Sequence, residues 1–259
     1  MTEKGIFTSR ERARSAIMEG KIFVNGVKID KCGTTVRSTD DVVFIGEKLP
    51  FVSRGGLKLE KAIRSFDIKL KDKICFDIGA STGGFTDCML QNGAKKVYAI
   101  DVGYGQLAWS LRCDPRVIVM ERTNIRNVEI KEFEEKGDFA SIDVSFISLK
   151  KVVPKTLELL QDECEILTLV KPQFEAGKEK VSKKGVIKDI NIHKEVLVDY
   201  CQFIRSLGLF IKNISFSPIK GPEGNIEFLV YIMRKKIEQE PDINYALEVV
   251  ESAHGELNG

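Results

Sequence analysis

The stretch Phe76-Asp77-Ile78-Gly79-Ala80-Ser81-Thr82-Gly83-Gly84-Phe85-Thr86-Asp87 decides the fold of this chain. An apolar run, Ile74 to Ile78, passes through a turn with three glycines into a helical pattern. Glycine at such a turn permits positive φ and lets a ligand approach main-chain N–H groups. Roughly twenty residues on, the spacing at which an acid meets a ribose in nucleotide-binding sheets, Val97-Tyr98-Ala99-Ile100 ends at Asp101. Strand, glycine turn, helix, strand and acid together announce a nucleoside-containing cofactor on an α/β sheet.

Working outward, apolar runs at 74–78, 96–100, 117–120, 139–144, 165–170, 209–216 and 226–232 alternate with polar, partly helical stretches. That alternation predicts a mainly parallel sheet with helices on both faces. The last two runs are joined by Ser217-Pro218-Ile219-Lys220-Gly221-Pro222-Glu223-Gly224, which has no room for a helix and predicts an antiparallel pair at the sheet edge. Pro241 then opens an amphipathic helix with Ile243, Ala246, Leu247 and Val250 on one side. Residues 1–50 read differently. Ser9 caps a short helix from Arg10 to Glu19, ended by Gly20. Ile22-Phe23-Val24, Asn25-Gly26 and Val27-Lys28-Ile29 form a two-residue hairpin, and Asp41 to Ile45 adds a strand. The divisions expected are therefore a small α+β module over 1–50, an α/β domain over 51–235, and a C-terminal helix and tail over 236–259.

Bulk properties limit the partners. With 259 residues, 43% hydrophobic, the chain buries one sizeable core and carries a small extra module. A formal net charge of +2 leaves any nucleic-acid role to local patches. No segment reaches the roughly 18 apolar residues of a membrane span, and no signal peptide opens the chain, so a cytoplasmic protein without membrane contact is expected. The six cysteines form no Cys-x-x-Cys pair, and the two histidines, His193 and His254, are far apart in sequence; free thiols and no metal site are expected.

The glycine spacing narrows the cofactor. A nicotinamide turn requires Gly-x-Gly-x-x-Gly and a P-loop Gly-Lys-Ser/Thr; this chain has Gly79-x-x-x-Gly83-Gly84 preceded by Asp77. A looser turn with no pyrophosphate to cradle, plus an acid ending the next strand, suits S-adenosylmethionine. Charged residues lie where this fold aims them at one cleft: Asp143 after Phe139-Ala140-Ser141-Ile142, and Lys171 after Ile166 to Val170. Glu227 sits inside the final apolar run, where an unpaired carboxylate is costly, and Lys58 precedes the sheet. Singly, each has an ordinary structural explanation.

Together they match a known order. Ser53–Leu59, Asp77–Asp87, Ile142-Asp143-Val144-Ser145-Phe146, Leu169-Val170-Lys171-Pro172-Gln173-Phe174-Glu175 and Gly221–Phe228 closely resemble the TlyA family, ribosomal RNA cytidine-2'-O-methyltransferases often labelled hemolysins. The second half also resembles the FtsJ-type ribose methyltransferases, and the first 50 residues the S4-like RNA-binding domain of the family. The resemblance implies a Rossmann-like class I S-adenosylmethionine-dependent methyltransferase fold, with a seven-stranded sheet and its last strand antiparallel. It implies a catalytic tetrad of Lys58, Asp143, Lys171 and Glu227. Lys171 accepts or directs the hydroxyl proton, Asp143 and Glu227 orient it, and Lys58 positions the 2'-hydroxyl and adjacent phosphate. The cofactor residues expected are Asp77, Gly79, Ala80, Ser81, Gly83, Gly84 and Phe85 for the methionine part, Asp101 for the ribose, Val102 and Asn124 for the adenine edge, and Asp143. Ribosomal RNA in its subunits is the partner expected, contacted by Arg10, Arg12, Arg14, Lys21 and Lys28 of the module, Arg54 with Lys61 and Arg64 on the approach side, and Lys183 and Lys184 in the basic loop after Lys171. Because family members usually carry a further stretch before Glu3-Lys4-Gly5-Ile6-Phe7, a short or missing first helix in the module is expected, leaning toward the large subunit as target. The competing readings are a base (amine) methyltransferase, disfavoured because Asp143-Val144-Ser145-Phe146 lacks the paired prolines of such enzymes, and a lytic protein, disfavoured by the absence of a strongly amphipathic basic helix.

Overall fold

A computed structural model describes the chain except for residues 3–5, 8, 9, 47, 48, 222 and 259. It divides into two compact units, Met1–Leu49 and Pro50–Gly259.

In the first unit, helix α1 (Arg10–Met18) precedes a three-stranded antiparallel sheet of β1 (Ile22–Val24), β2 (Val27–Ile29) and β3 (Val42–Phe44), with β1 in the centre. The expected cap Ser9 lies outside the described residues. Lys21 N–H reaches back to Ala16 O and Gly20 N–H to Ile17 O, closing the helix. Asn25 and Gly26 both take positive φ, 50° and 79°, the turn whose twist matches a two-residue hairpin. Ala16, Ile17 and Ile22 form the small core.

The second unit carries seven strands: β4 (Ile74–Ile78), β5 (Lys96–Ile100), β6 (Val117–Met120), β7 (Gly137–Ile142), β8 (Leu160–Val170), β9 (Phe210–Phe216) and β10 (Phe228–Met233). Their order is β6-β5-β4-β7-β8-β10-β9. β4 to β8 pair in parallel, and β10 runs antiparallel to both β8 and β9. The expected antiparallel pair is present, with β10 inserted between β8 and the edge strand β9. β4 is buried at all five positions, as a strand covered on both faces must be.

Helices α2 (Gly55–Phe66), α3 (Gly84–Gln91) and α4 (Trp109–Arg112) pack on one face with Leu59, Ala62, Phe85 and Met89 in the core. α5 (Val153–Glu158), α7 (Ile190–Ser206) and α8 (Ile243–Asn258) cover the other, and α6 (Pro172–Glu175) is a single turn after β8. α7 begins where the Asp189 carboxylate accepts the Asn191 N–H at 2.8 Å. The C-terminal helix packs into this unit's core. It buries Ala246, Val249, Val250 and Ala253, an i, i+3, i+4, i+7 stripe, whereas Ile243 of the expected face is 39% exposed. The histidines also differ from the expectation of scatter: α7 and α8 bring His193 Nδ1 to 2.8 Å from His254 Nε2. Among the described residues no helix is long and apolar enough to cross a membrane.

Candidate active site

The glycine turn is built by sharing acceptors. Gly79 and Ala80 N–H both donate to Ile100 O, at 2.8 and 3.1 Å, so the turn folds over the end of β5. Gly79 has φ 88°, and a Cβ there would overlap the backbone oxygen of Asp143. Only glycine lets the turn lie flat against the end of β7. Asp101 then ties the turn to its own loop, accepting Ser81 N–H at 2.8 Å on one oxygen and Gly103 N–H at 2.6 Å on the other. One lone pair on each oxygen remains, enough for a diol.

Asp77 is fully buried and accepts from Thr86 Oγ1 at 2.6 Å and Ser141 Oγ at 3.1 Å. Burial pushes its carboxyl up to about 7, against the two hydroxyls that favour the charge. Its folded value lies above its unfolded one of 3.8. Between these values the folded protein holds a proton the unfolded chain has lost, so stability falls as pH rises through the window and is level above it. Denaturant melts of wild type and Asp77→Asn across pH 4 to 7 check this: the isosteric amide removes this component of the slope.

The four charged residues converge because of strand direction. β7 and β8 are parallel neighbours, so Asp143 and Lys171 leave the same sheet edge; β10 runs the other way, so Glu227, just before Phe228, enters at that edge. Phe228 pairs with Val170, which sets Glu227 beside Lys171 across the ladder. Lys171 Nζ lies 2.6 Å from Asp143 Oδ1 and donates to Ser145 Oγ at 3.0 Å. Lys58 Nζ, from the first turn of α2, lies 2.6 Å from Glu227 Oε2 and 3.9 Å from Asp143 Oδ2. Lys58, Lys171 and Glu227 are all buried. Burial raises the Glu227 carboxyl while Lys58 pulls it down. Two positive and two negative groups alternate and balance. Such a buried quartet is a weak source of stability, since apolar replacements often do as well.

A cleft of about 860 Å³ opens beside Asp143. Of the expected cofactor residues, Gly79, Ser81, Asp101, Val102, Asn124 and Asp143 line it. Asp77, Ala80, Gly83, Gly84 and Phe85 are not brought to it. Asp77 is sealed beneath the turn, and Ala80 and Phe85 point into the core. Gly83 backs onto Leu107 and Leu111. Gly84 gives α3 room to approach α2: a Cβ there would lie 2.7 Å from Gly56 N. Asn124 Oδ1 also accepts Arg126 N–H at 3.1 Å, fixing the turn that follows β6.

Sequence reasoning missed the far wall. Phe146 is 90% exposed, holds φ at 63°, and leans on Phe174 with centroids 5.1 Å apart. A bare aromatic ring in the left-handed region is strained, and such strain concentrates at functional sites. Glu175 fixes the loop behind it, accepting from Ser148 Oγ at 2.6 Å and Leu149 N–H at 2.8 Å. The sequence signal available was an aromatic residue three positions after a strand-ending acid.

The basic residues divide by unit. In the first, Arg10, Arg14, Lys21 and Lys28 are exposed, Lys21 pairing with Glu19 at 2.7 Å; the Arg12 side chain lies outside the described residues. In the second, Arg54 is exposed before α2, and Lys183 and Lys184 are exposed in the loop after α6. Lys61 sits 3.6 Å above the Phe216 ring, and Arg64 pairs with Glu60 at 2.8 Å.

Comparison with known proteins adds a family likeness. Residues 51–234 match the FtsJ-like methyltransferase model, and residues 1–43 match the S4 domain. The chain is 48% identical to a candidate rRNA methyltransferase, YqxC, of Bacillus subtilis, over 99% of this chain and 93% of that one. It is 39% identical to the 16S/23S rRNA (cytidine-2'-O)-methyltransferase TlyA of Mycobacterium tuberculosis, over 90% of this chain and 87% of that one. A solved structure of a hemolysin candidate from Streptococcus thermophilus superposes with TM-score 0.82 at 46% identity, covering 99% of this chain and 94% of its own.

Proposed function

The chain belongs to the FtsJ-like methyltransferase family, with an S4 domain at its N-terminus and its relatives in the TlyA group, and from that premise we propose that it methylates a cytidine 2'-hydroxyl of ribosomal RNA with S-adenosylmethionine as donor. The observation that carries the reading is the buried Lys58–Glu227 and Asp143–Lys171 pairing at the rim of the Asp101 cleft.

The cleft fits that donor. Asp101 offers lone pairs to a ribose diol, Val102 and Asn124 flank the position of an adenine edge, and the flat Gly79 turn admits a small amino acid group. When bound, the donor supplies an electrophilic methyl group on a sulfonium. The remaining work falls to the chain. A ribose hydroxyl is a poor nucleophile at neutral pH and needs its proton directed away. Lys171 takes it as a neutral amine: two N–H bonds point to Asp143 and Ser145, the nitrogen lone pair is left for the hydroxyl proton, and Lys171 becomes the ammonium as the methyl leaves sulfur for oxygen. Asp143 fixes Lys171 in place and touches Gly79, so donor turn and proton-handling group share one support. Glu227 holds Lys58, which faces the hydroxyl and its neighbouring phosphate. Phe146 offers its open face to the target base. Most of the acceleration comes from alignment.

Methyl transfer from labelled donor to isolated 30S and 50S subunits, followed by mapping through resistance to alkaline cleavage, tests the reading; only ribose methylation protects the backbone. Label on a base amine would overturn it. Arg10 and Arg14 of the S4 domain are assigned to RNA phosphates. Reversing both charges weakens RNA binding, and the slope of log affinity against log salt shrinks by about 0.7–0.9 for each phosphate no longer neutralised. A salt titration with an unchanged slope returns these arginines to an ordinary solvated face.

A further inference from the structure

The loop after α6 and the turn before β10 are fastened by one side chain. Asn225 is 1% exposed. Its Oδ1 accepts Ile187 N–H at 3.0 Å, and its Nδ2 donates to Gly185 O at 2.9 Å. Only one orientation of the amide satisfies both, so the side chain is locked onto the loop backbone as a strand would be. The same residue holds the turn: Gly221 N–H donates to Asn225 O at 2.9 Å, and Gly224 N–H to Gly221 O at 2.8 Å.

That turn is the rear support of Glu227. A Cβ on Gly221 would lie 2.7 Å from Glu227 Oε1, so the backbone of Gly221 rests against the carboxylate whose other oxygen holds Lys58. Glu227 O in turn accepts Ser217 N–H at 2.8 Å. On the loop side, the exposed Lys183, Lys184 and Lys188 flank the two backbone groups that Asn225 grips. The positions of the basic loop and of the Glu227 carboxylate are therefore set by a shared fastener.

We propose that Asn225 is a positioning residue that couples RNA docking on the basic loop to the Glu227–Lys58 pair. The proposal rests on the functional reading above and adds to it the route by which a phosphate backbone on the loop brings Lys58 into register. A loop free to drift leaves RNA on the enzyme with the pair out of place. A 1 Å misplacement of aligned groups costs on the order of 10²-fold in rate.

Full-length wild type, Asn225→Ala and Asn225→Asp are compared in methyl transfer to ribosomal subunits, with donor binding and thermal melting measured alongside. Asn225→Ala is expected to lose about 10- to 100-fold in kcat and to raise KM for RNA while donor affinity stays at wild type. In Asn225→Asp the carboxylate opposes Gly185 O. Its protonated form restores the missing donor, so its activity relative to wild type rises as pH falls, whereas that of Asn225→Ala does not. This recovery separates positioning from folding should the alanine variant melt early. Active wild type beside an Asn225→Ala variant with unchanged kcat and KM overturns the coupling alone. Inactive wild type overturns the functional reading, and the coupling with it.

Discussion

Lys171→Ala is expected to abolish methyl transfer to ribosomal RNA, a loss of at least the 10²–10⁴-fold typical of a removed proton-handling group, while donor binding stays near wild type. The geometry explains the separation. Lys171 belongs to the quartet and does not line the cleft, so Asp101 and Val102 keep their places and, of the lining, only the Asp143 side chain loses a partner. The substitution leaves Asp143 to depend on the more distant Lys58, 3.9 Å away, for cationic support. Breaking a buried pair from one side costs about 3–5 kcal/mol in stability, so melting must be followed with activity. Lys171→Arg serves as the companion variant. It keeps the charge beside Asp143 but brings a rigid planar fork where a compact ammonium stood, so it restores stability without restoring rate. A fully active Lys171→Ala enzyme sinks the assignment.

Gly79→Ala is expected to damage stability, donor binding and rate at once. The added methyl faces backbone, the Asp143 carbonyl, which cannot rotate aside. It also forces a side chain into φ 88°. The conformational part alone costs about 1–2 kcal/mol; the overlap adds to it and pushes Asp143 away from Lys171. Gly208→Ala isolates the first part, because Gly208 has φ 73° and open space within 4 Å of where its methyl would stand. Thermal melts are expected to show a small loss for Gly208→Ala and a several-fold larger one for Gly79→Ala. Equal losses would mean that the turn tolerates the overlap.

Much of this was legible in the chain because period and punctuation agree locally. The apolar runs fell on the strands, and the Asn25-Gly26 pair fixed its hairpin. Asp143, Lys171 and Glu227 were visible as charges at strand ends or inside an apolar run, whereas Lys58 reads alone as a surface-helix lysine and joined them only through the family resemblance. What escaped was set by non-local contacts. β8 starts at Leu160, which pairs with Gly137 of β7, and its first part was hidden in the sequence because Gln161, Asp162 and Glu163 are polar and exposed. The glycine turn was read as ligand contact throughout, but Gly84 serves helix packing and Asp77 the core. The exposure of Phe146 depends on a backbone angle no residue pattern announces. The meeting of His193 and His254, 61 residues apart, required α7 and α8 to pack against each other across the two strands that separate them in sequence.

The insertion of β10 between β8 and β9 has a consequence for the order in which this protein is made. Domains fold as units during synthesis, N-terminal parts first. β4 to β7, with the Asp101 cleft, can pair as soon as they emerge, but β9 has no hydrogen-bonded place in the sheet until the last strand of the chain slides in beside it. Glu227 travels with that strand, and Lys58 waits 169 residues for its partner. A chain ended before β10 therefore carries Asp101, Asp143 and Lys171 but not Glu227, and leaves Lys58 without its 2.6 Å partner. The Lys58–Glu227 pair closes only after β10 has emerged, and the domain is complete only when α8 has covered its face of the sheet.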